Sequence, residues 1–173
     1  FYNLKEVAEY WEKVIQINSW QQKRISKIIV EKLFGTLTNK KIGILGFSFK
    51  ANTNDTRESP AIKICLDLIE EGANISIYDP KVSSNQISND LDSIMTNKSK
   101  DKFGSWQIGL SVSQVSQNAD AIVVITEWDE FRNINWKSIA IEMRKPCWVF
   151  DCRNIVDKKE AKSNGINVWE IGC

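Results

Sequence analysis

Apolar residues recur every three or four positions at the start of the chain: Leu4, Val7, Ala8, Trp11, Val14 and Ile15, then Ile25, Ile28, Ile29 and Leu33. That spacing puts them on one helical face and predicts helical structure over residues 3–35. It is expected as one kinked helix or two meeting near Asn18-Ser19, with Gly35 as the stop. Such a stripe must be buried, on the rest of this chain, on a domain outside it or on a second subunit. From residue 41 the pattern changes to short apolar runs alternating with helical spacing. Strands are expected at 41–46, 74–78, 106–110, 119–126, 146–151 and 166–171. The clearest is 119–126, Ala-Asp-Ala-Ile-Val-Val-Ile-Thr, whose unbroken apolar run suits a parallel strand covered on both faces. Helices are expected from Pro60 to Gly72, with Ser59 as cap and Ala61, Ile64, Cys65 and Leu68 facing inward, and at 85–95, 112–118, 136–143 and 156–163. Residues 96–102 read as a mobile polar stretch. Strand–helix alternation of this kind predicts an α/β fold, a doubly wound parallel sheet preceded by one or two helices.

In a parallel sheet the carboxyl ends of all strands share one edge, and ligands bind there. Residues 41–60 therefore carry the most information. A strand runs into Gly46, then a loop with Lys50 and Arg57, then the helix start at Ser59-Pro60. Arg153 follows the strand at 146–151 on the same edge. Three cations there point to an anionic ligand, phosphate above all. The competing expectation is that they pair with Asp55, Glu58, Asp79 and Asp151. Asp79 and Asp151 also form a possible acid/base pair, although carboxylates at strand ends more often cap loops or hold an arginine. Trp106, Trp128, Trp136, Trp148 and Trp169 are expected to pack rather than to stack on a base. Thr126-Glu127-Trp128-Asp129 reads as a capping box for a short helix. The loop matches neither G-x-G-x-x-G nor G-x-x-x-x-G-K-[ST].

Composition narrows the chemistry. Of 173 residues, 23 are Lys or Arg and 22 Asp or Glu, so nothing global suggests a nucleic-acid partner or a membrane surface. No apolar run approaches a membrane span, and the opening residues do not read as a secretory leader. The chain opens on Phe1 rather than Met, which suggests a piece of a longer protein. Histidine is absent, which excludes a Ser/His/Asp triad and the commonest metal ligand. The four cysteines, Cys65, Cys147, Cys152 and Cys173, fit neither a zinc site nor a disulfide framework, and reduced thiols in a cytoplasmic protein are expected.

Gly46-Phe47-Ser48-Phe49-Lys50 followed by Asp55-Thr56-Arg57-Glu58-Ser59-Pro60 resembles the G-[FL]-[AS]-F-K…D-x-R-E-[SA] signature of the nucleotide-sugar dehydrogenases, the family of UDP-glucose and GDP-mannose dehydrogenases. Tyr78-Asp79-Pro80, Thr126-Glu127-Trp128 and Phe150-Asp151-x-Arg153 resemble further family motifs in the same order. Tyr10-Trp11 and Val14-Ile15-x-x-Asn18 resemble the helix that leads out of the family's central domain. Asp-Thr-Arg-Glu-Ser and the opening helix look most like the members acting on UDP-glucose.

The resemblance implies a Rossmann-like UDP-sugar-binding domain over residues 39–173, preceded by the end of a central helical dimerisation domain over 1–38. It implies that Phe49, Lys50 and Arg153 bind the sugar nucleotide and that Arg57 reaches NAD held mainly by an N-terminal domain outside this chain. Family members oxidise the sugar's C6 alcohol to a carboxylate in two NAD-dependent steps, using a cysteine in a G-G-S-C-F-x-K-D motif. Nothing here matches that motif, so no residue of this chain is assigned a catalytic role, no metal is expected, and the piece alone is expected to be inactive. Cys152 stands where the family commonly has glycine. The implied partners are a UDP-sugar, the two outside domains and a second copy in a homodimer. Two other readings stay open: a member acting on GDP-mannose or an N-acetylated UDP-sugar, and a stand-alone nucleotide-binding module.

Overall fold

A computed structural model describes residues 4–95 and 104–172. The expected mobile stretch at 96–102 lies outside the described residues. Six strands form one wholly parallel sheet: β1 (Lys41–Leu45), β2 (Asn74–Tyr78), β3 (Ser105–Ile108), β4 (Ala121–Val124), β5 (Cys147–Asp151) and β6 (Ile166–Glu170). Their order is β3-β2-β1-β4-β5-β6. The chain winds outward from β1 in one direction, then returns to β4 and winds in the other. The crevice between β1 and β4 is thus the topological switch point, where this class of sheet opens a ligand site.

Each central strand feeds two cores by alternation. Ile42, Ile44, Ala121 and Val123 face α1 (Lys5–Lys32), α2 (Pro60–Glu70) and α3 (Ser84–Met95). Leu45, Ile122, Val124 and Val149 face α4 (Val112–Ser116), α5 (Asp129–Arg132), α6 (Trp136–Glu142) and α7 (Lys158–Ser163). The unbroken apolar run of β4 is buried at every position, as a strand covered on both faces requires. Gly43 in β1 lets α4 approach closely: a Cβ there would stand 2.9 Å from the Val115 carbonyl oxygen.

The opening segment is one continuous helix of 28 residues, without a break at Asn18-Ser19. Its two halves have different surroundings. Ile25 and Ile29 are buried, followed by Leu33 just past the helix, and Ser26 Oγ donates to Asp67 of α2 at 3.0 Å. The earlier stripe is not covered by the sheet domain: Leu4, Val7, Tyr10, Trp11, Ile15, Ile17 and Trp20 are all exposed, Trp11 by 59%. The stop combines Phe34 and Gly35, both at positive φ.

Helix α2 begins as its sequence dictates. The Ser59 hydroxyl accepts the Ala61 N–H at 3.2 Å, and Pro60 occupies the first turn, where it has no bond to lose. Ala61, Ile64, Cys65 and Leu68 are all fully buried. The expected capping box at Thr126–Asp129 does not form. Helix α5 is capped by Trp128 without a side-chain bond, and the Thr126 hydroxyl donates instead to the Ser48 carbonyl at 2.8 Å. Trp128 and Trp136 are buried, while Trp106, Trp148 and Trp169 pack half-buried against the first core. Among the described residues, no helix is long and apolar enough to cross a membrane.

Candidate functional site

The loop from β1 to α2 starts at Gly46, whose φ is +93°. A Cβ there would lie 2.4–2.7 Å from Thr126, so both conformation and space demand glycine. The turn points the amides of Phe47 and Ser48 at one carboxylate oxygen of Asp79, at 2.7 and 3.0 Å. The same oxygen accepts from the Ser48 hydroxyl at 3.2 Å and the Trp128 indole at 3.1 Å. The other accepts the amides of Lys81 and Val82, at 2.9 and 3.0 Å. Burial pushes the Asp79 pKa upward, but the amides of Phe47, Lys81, Ser48 and Val82 outweigh it and hold the group below the usual carboxylate range. Asp151 likewise holds the turn after β5 by hydrogen bonds, accepting from the amides of Arg153, Ile155 and Val156 at 2.8–2.9 Å. Both aspartates cap loops. Neither pairs with a cation among the described residues, and each is engaged by three or more donors of the loops it holds, a structural role in place of the acid/base one.

Further bonds fix the rest of the loop. The Ser59 hydroxyl donates to the Phe47 carbonyl at 2.8 Å, and the Phe49 amide reaches the Asp55 carbonyl at 2.8 Å. Gln86 of α3 donates to the Asn54 carbonyl and the Thr56 hydroxyl, at 3.0 and 2.9 Å. The loop is built before any ligand arrives.

Phe49, Lys50 and Arg153 line one cleft of about 560 Å³ between α1 and the carboxyl edge of the sheet. Asn18 and Gln22 of α1 form the facing wall, and Glu127 lies on the floor beside Arg153. Phe49 is 47% exposed, so its ring is open to contact from the cleft. Lys50 has no hydrogen bond or ion pair among the described residues. Arg153 Nε donates to the Ile125 carbonyl at 2.5 Å and stands 3.2 Å from Glu127, while Nη2 donates to the Phe49 carbonyl at 3.3 Å. Arg57 is not part of this cleft. Its side chain is 86% exposed and makes two bonds to Asp55, at 2.9 and 2.7 Å, which is the pairing expected of it. The Arg57 contacts lower the Asp55 pKa to about 2.

The arrangement suits binding. Two cations, an exposed ring and side-chain amides can hold a phosphorylated ligand that carries a planar base. Cys152 lines the cleft, but burial, with help from the Asp151 charge, pushes its thiol up to about 12, so it stays protonated at neutral pH. Burial likewise raises Cys65. Sequence reasoning missed the α1 wall and the pairing of Glu127 with Arg153. The sequence carries no signal for the latter, which arises from the register Val124↔Asp151 that brings the turns after β4 and β5 side by side.

Residues 43–158 match the UDP binding domain of the UDP-glucose/GDP-mannose dehydrogenase family. The chain is 44% identical over 170 residues to a UDP-glucose 6-dehydrogenase of Caenorhabditis elegans, covering 98% of this chain and 35% of that protein. It is also 44% identical over 171 residues to the UDP-glucose 6-dehydrogenase of Drosophila melanogaster, covering 98% and 36%. The chain thus spans about a third of the length of these relatives. Among solved structures, a UDP-D-ManNAc dehydrogenase from Pyrococcus horikoshii superimposes with a TM-score of 0.68 at 27% identity, over 91% of this chain and 32% of that one.

Proposed function

Since the chain belongs to the UDP-glucose/GDP-mannose dehydrogenase family, as a C-terminal portion carrying its UDP binding domain, we propose that it binds the substrate of an NAD-dependent UDP-glucose 6-dehydrogenase. In that reading residues 39–173 hold the UDP-sugar and residues 1–38 end a central helical domain through which the intact protein dimerises. The complete enzyme, cytoplasmic, oxidises the C6 alcohol of UDP-glucose to UDP-glucuronate in two hydride transfers. The observation that carries the reading is the convergence of Phe49, Lys50 and Arg153 on one cleft at the switch point. Lys50 and Arg153 would take the diphosphate, and Phe49 would offer its ring to the base or sugar.

The residues of this chain do not fit a complete dinucleotide site. In a doubly wound sheet the first turn's amides cradle a pyrophosphate. Here the Phe47 and Ser48 amides are taken by Asp79. NAD is therefore assigned to a domain outside this chain, with Arg57, exposed on the β1–α2 loop away from the cleft, as the residue assigned to reach it.

Calorimetric titration of the chain with UDP tests the reading. Lys50→Ala and Arg153→Ala should each weaken binding by about 1.5–3 kcal/mol, the worth of a charge-assisted bond. Unchanged affinity in both variants would refute the assignment. Competition between UDP and GDP separates the UDP-sugar enzymes from a GDP-mannose enzyme. Mixed with UDP-glucose and NAD, the chain should form no NADH, and turnover would overturn the division of labour between domains.

A further inference from the structure

Glu127 touches more than Arg153. One oxygen accepts the Ala51 amide at 3.4 Å, and the other faces the Arg153 Nε at 3.2 Å with no hydrogen-bond donor of its own among the described residues. Arg153 in turn donates through Nη2 to the Phe49 carbonyl at 3.3 Å. The path runs Phe49 carbonyl, Arg153, Glu127, Ala51 amide. Its ends are the residues immediately before and after Lys50. The lysine side chain has no hydrogen bond or ion pair among the described residues, and its four-carbon stem rotates freely. Apart from the charge of Asp55 on the same loop, the backbone on either side decides where the ammonium starts from.

We infer that Glu127 is a positioning residue: with Arg153 it clamps the chain on both sides of Lys50 and holds that cation over the cleft. This rests on the proposal that Lys50 and Arg153 bind the UDP diphosphate. The pair is built for orientation more than for stability. Both side chains are about two-thirds removed from water, at 31% exposure each, so solvent screens the pair less than it would on an open surface. The single Nε proton of Arg153 goes to the Ile125 carbonyl and the Glu127 charge lies beside it, which leaves Nη1 and the rest of Nη2 for a ligand oxygen. A second-sphere carboxylate that fixes a liganding group in this way commonly sets affinity from a distance. A negative charge placed next to two cations also has a simpler possible effect, repulsion of the phosphate, and the two effects have opposite signs.

UDP affinity of the chain, measured by calorimetry in a double-mutant cycle, separates them. Glu127→Ala should weaken UDP binding roughly tenfold when Lys50 is present, and less than about twofold in a Lys50→Ala background. Glu127→Gln, which keeps an acceptor for Ala51 but no charge against Arg153, should fall between. Equal losses in both backgrounds, or tighter binding by either variant, would overturn the clamp. A ligand-free measurement accompanies it. Hydrogen exchange of the Ala51 amide should quicken in Glu127→Ala, while that of Ile42–Leu45 stays unchanged. Unaltered exchange at Ala51 sinks the clamp whether or not UDP binds. A failure of the UDP reading itself shows differently, as a Lys50→Ala change without effect in the otherwise native chain.

Discussion

Asp79 takes the commoner of the roles open to a carboxylate at a strand end. Such a group can cap a loop, hold an arginine or act as an acid, and here it caps. Its six donors come from three loops that meet in the fold: Phe47 and Ser48, Lys81 and Val82, and Trp128. Asp79→Asn should therefore destabilise the chain by about 2 kcal/mol at pH 7. The sign with pH follows from the lowered pKa of the native state. The stabilisation is fully present above the unfolded carboxylate's pKa, about 4, and fades as pH falls below that through the native value. Urea unfolding across pH 3–7 should show the gap between variant and native chain narrowing toward acid. A gap that widens would contradict the assignment. The Glu127–Arg153 contact was hidden, because residues 26 positions apart meet only once β4 and β5 are in register. Lys50, Arg57 and Arg153 could be placed at the ligand edge because strand ends are legible from apolar runs. The apolar runs did not say which of them share a cleft, since that depends on how the loop bends back through Gly46 and Thr126; the family resemblance grouped Lys50 with Arg153 and set Arg57 apart, and the cleft is lined by the first two and not by the third.

Elements were legible where one force dominates. The unbroken apolar run of β4 and the Ser59-Pro60 start of α2 each have one physical reading, and both formed as expected. The continuity of α1 did not follow from its stripe, because periodicity reports a face and not a break. Its halves carry similar apolar residues in different surroundings, and mutations should separate them. Ile29→Ala removes a fully buried side chain packed at the α2 contact and should cost about 2–5 kcal/mol in urea unfolding. Trp11→Ala, on the exposed half, should stay within about 0.5 kcal/mol despite the larger side chain. A large loss at Trp11 in the isolated chain would mean that this half is covered in solution.

On the scale of the molecule, one sheet separates two hydrophobic cores while belonging to both. Ile29 lies in one core and Phe131 in the other. Their alanine variants share no partners, so in the double variant the losses should add to within about 0.5 kcal/mol, in a single cooperative transition. Two separate transitions would show that the sheet does not couple its faces. The parallel architecture was predictable from alternation alone, because parallel strands need crossover helices and leave few other arrangements.

The turn after β1 has a consequence for how such a domain holds a ligand. Its amides answer to a carboxylate of the same chain, supplied at fixed stoichiometry and never dissociating. The position where such a sheet would otherwise cradle a pyrophosphate is in effect permanently filled from within. If the cleft fills with a UDP-sugar, the ligand has to be held by side chains of the loops and of α1 rather than by the backbone of the first turn.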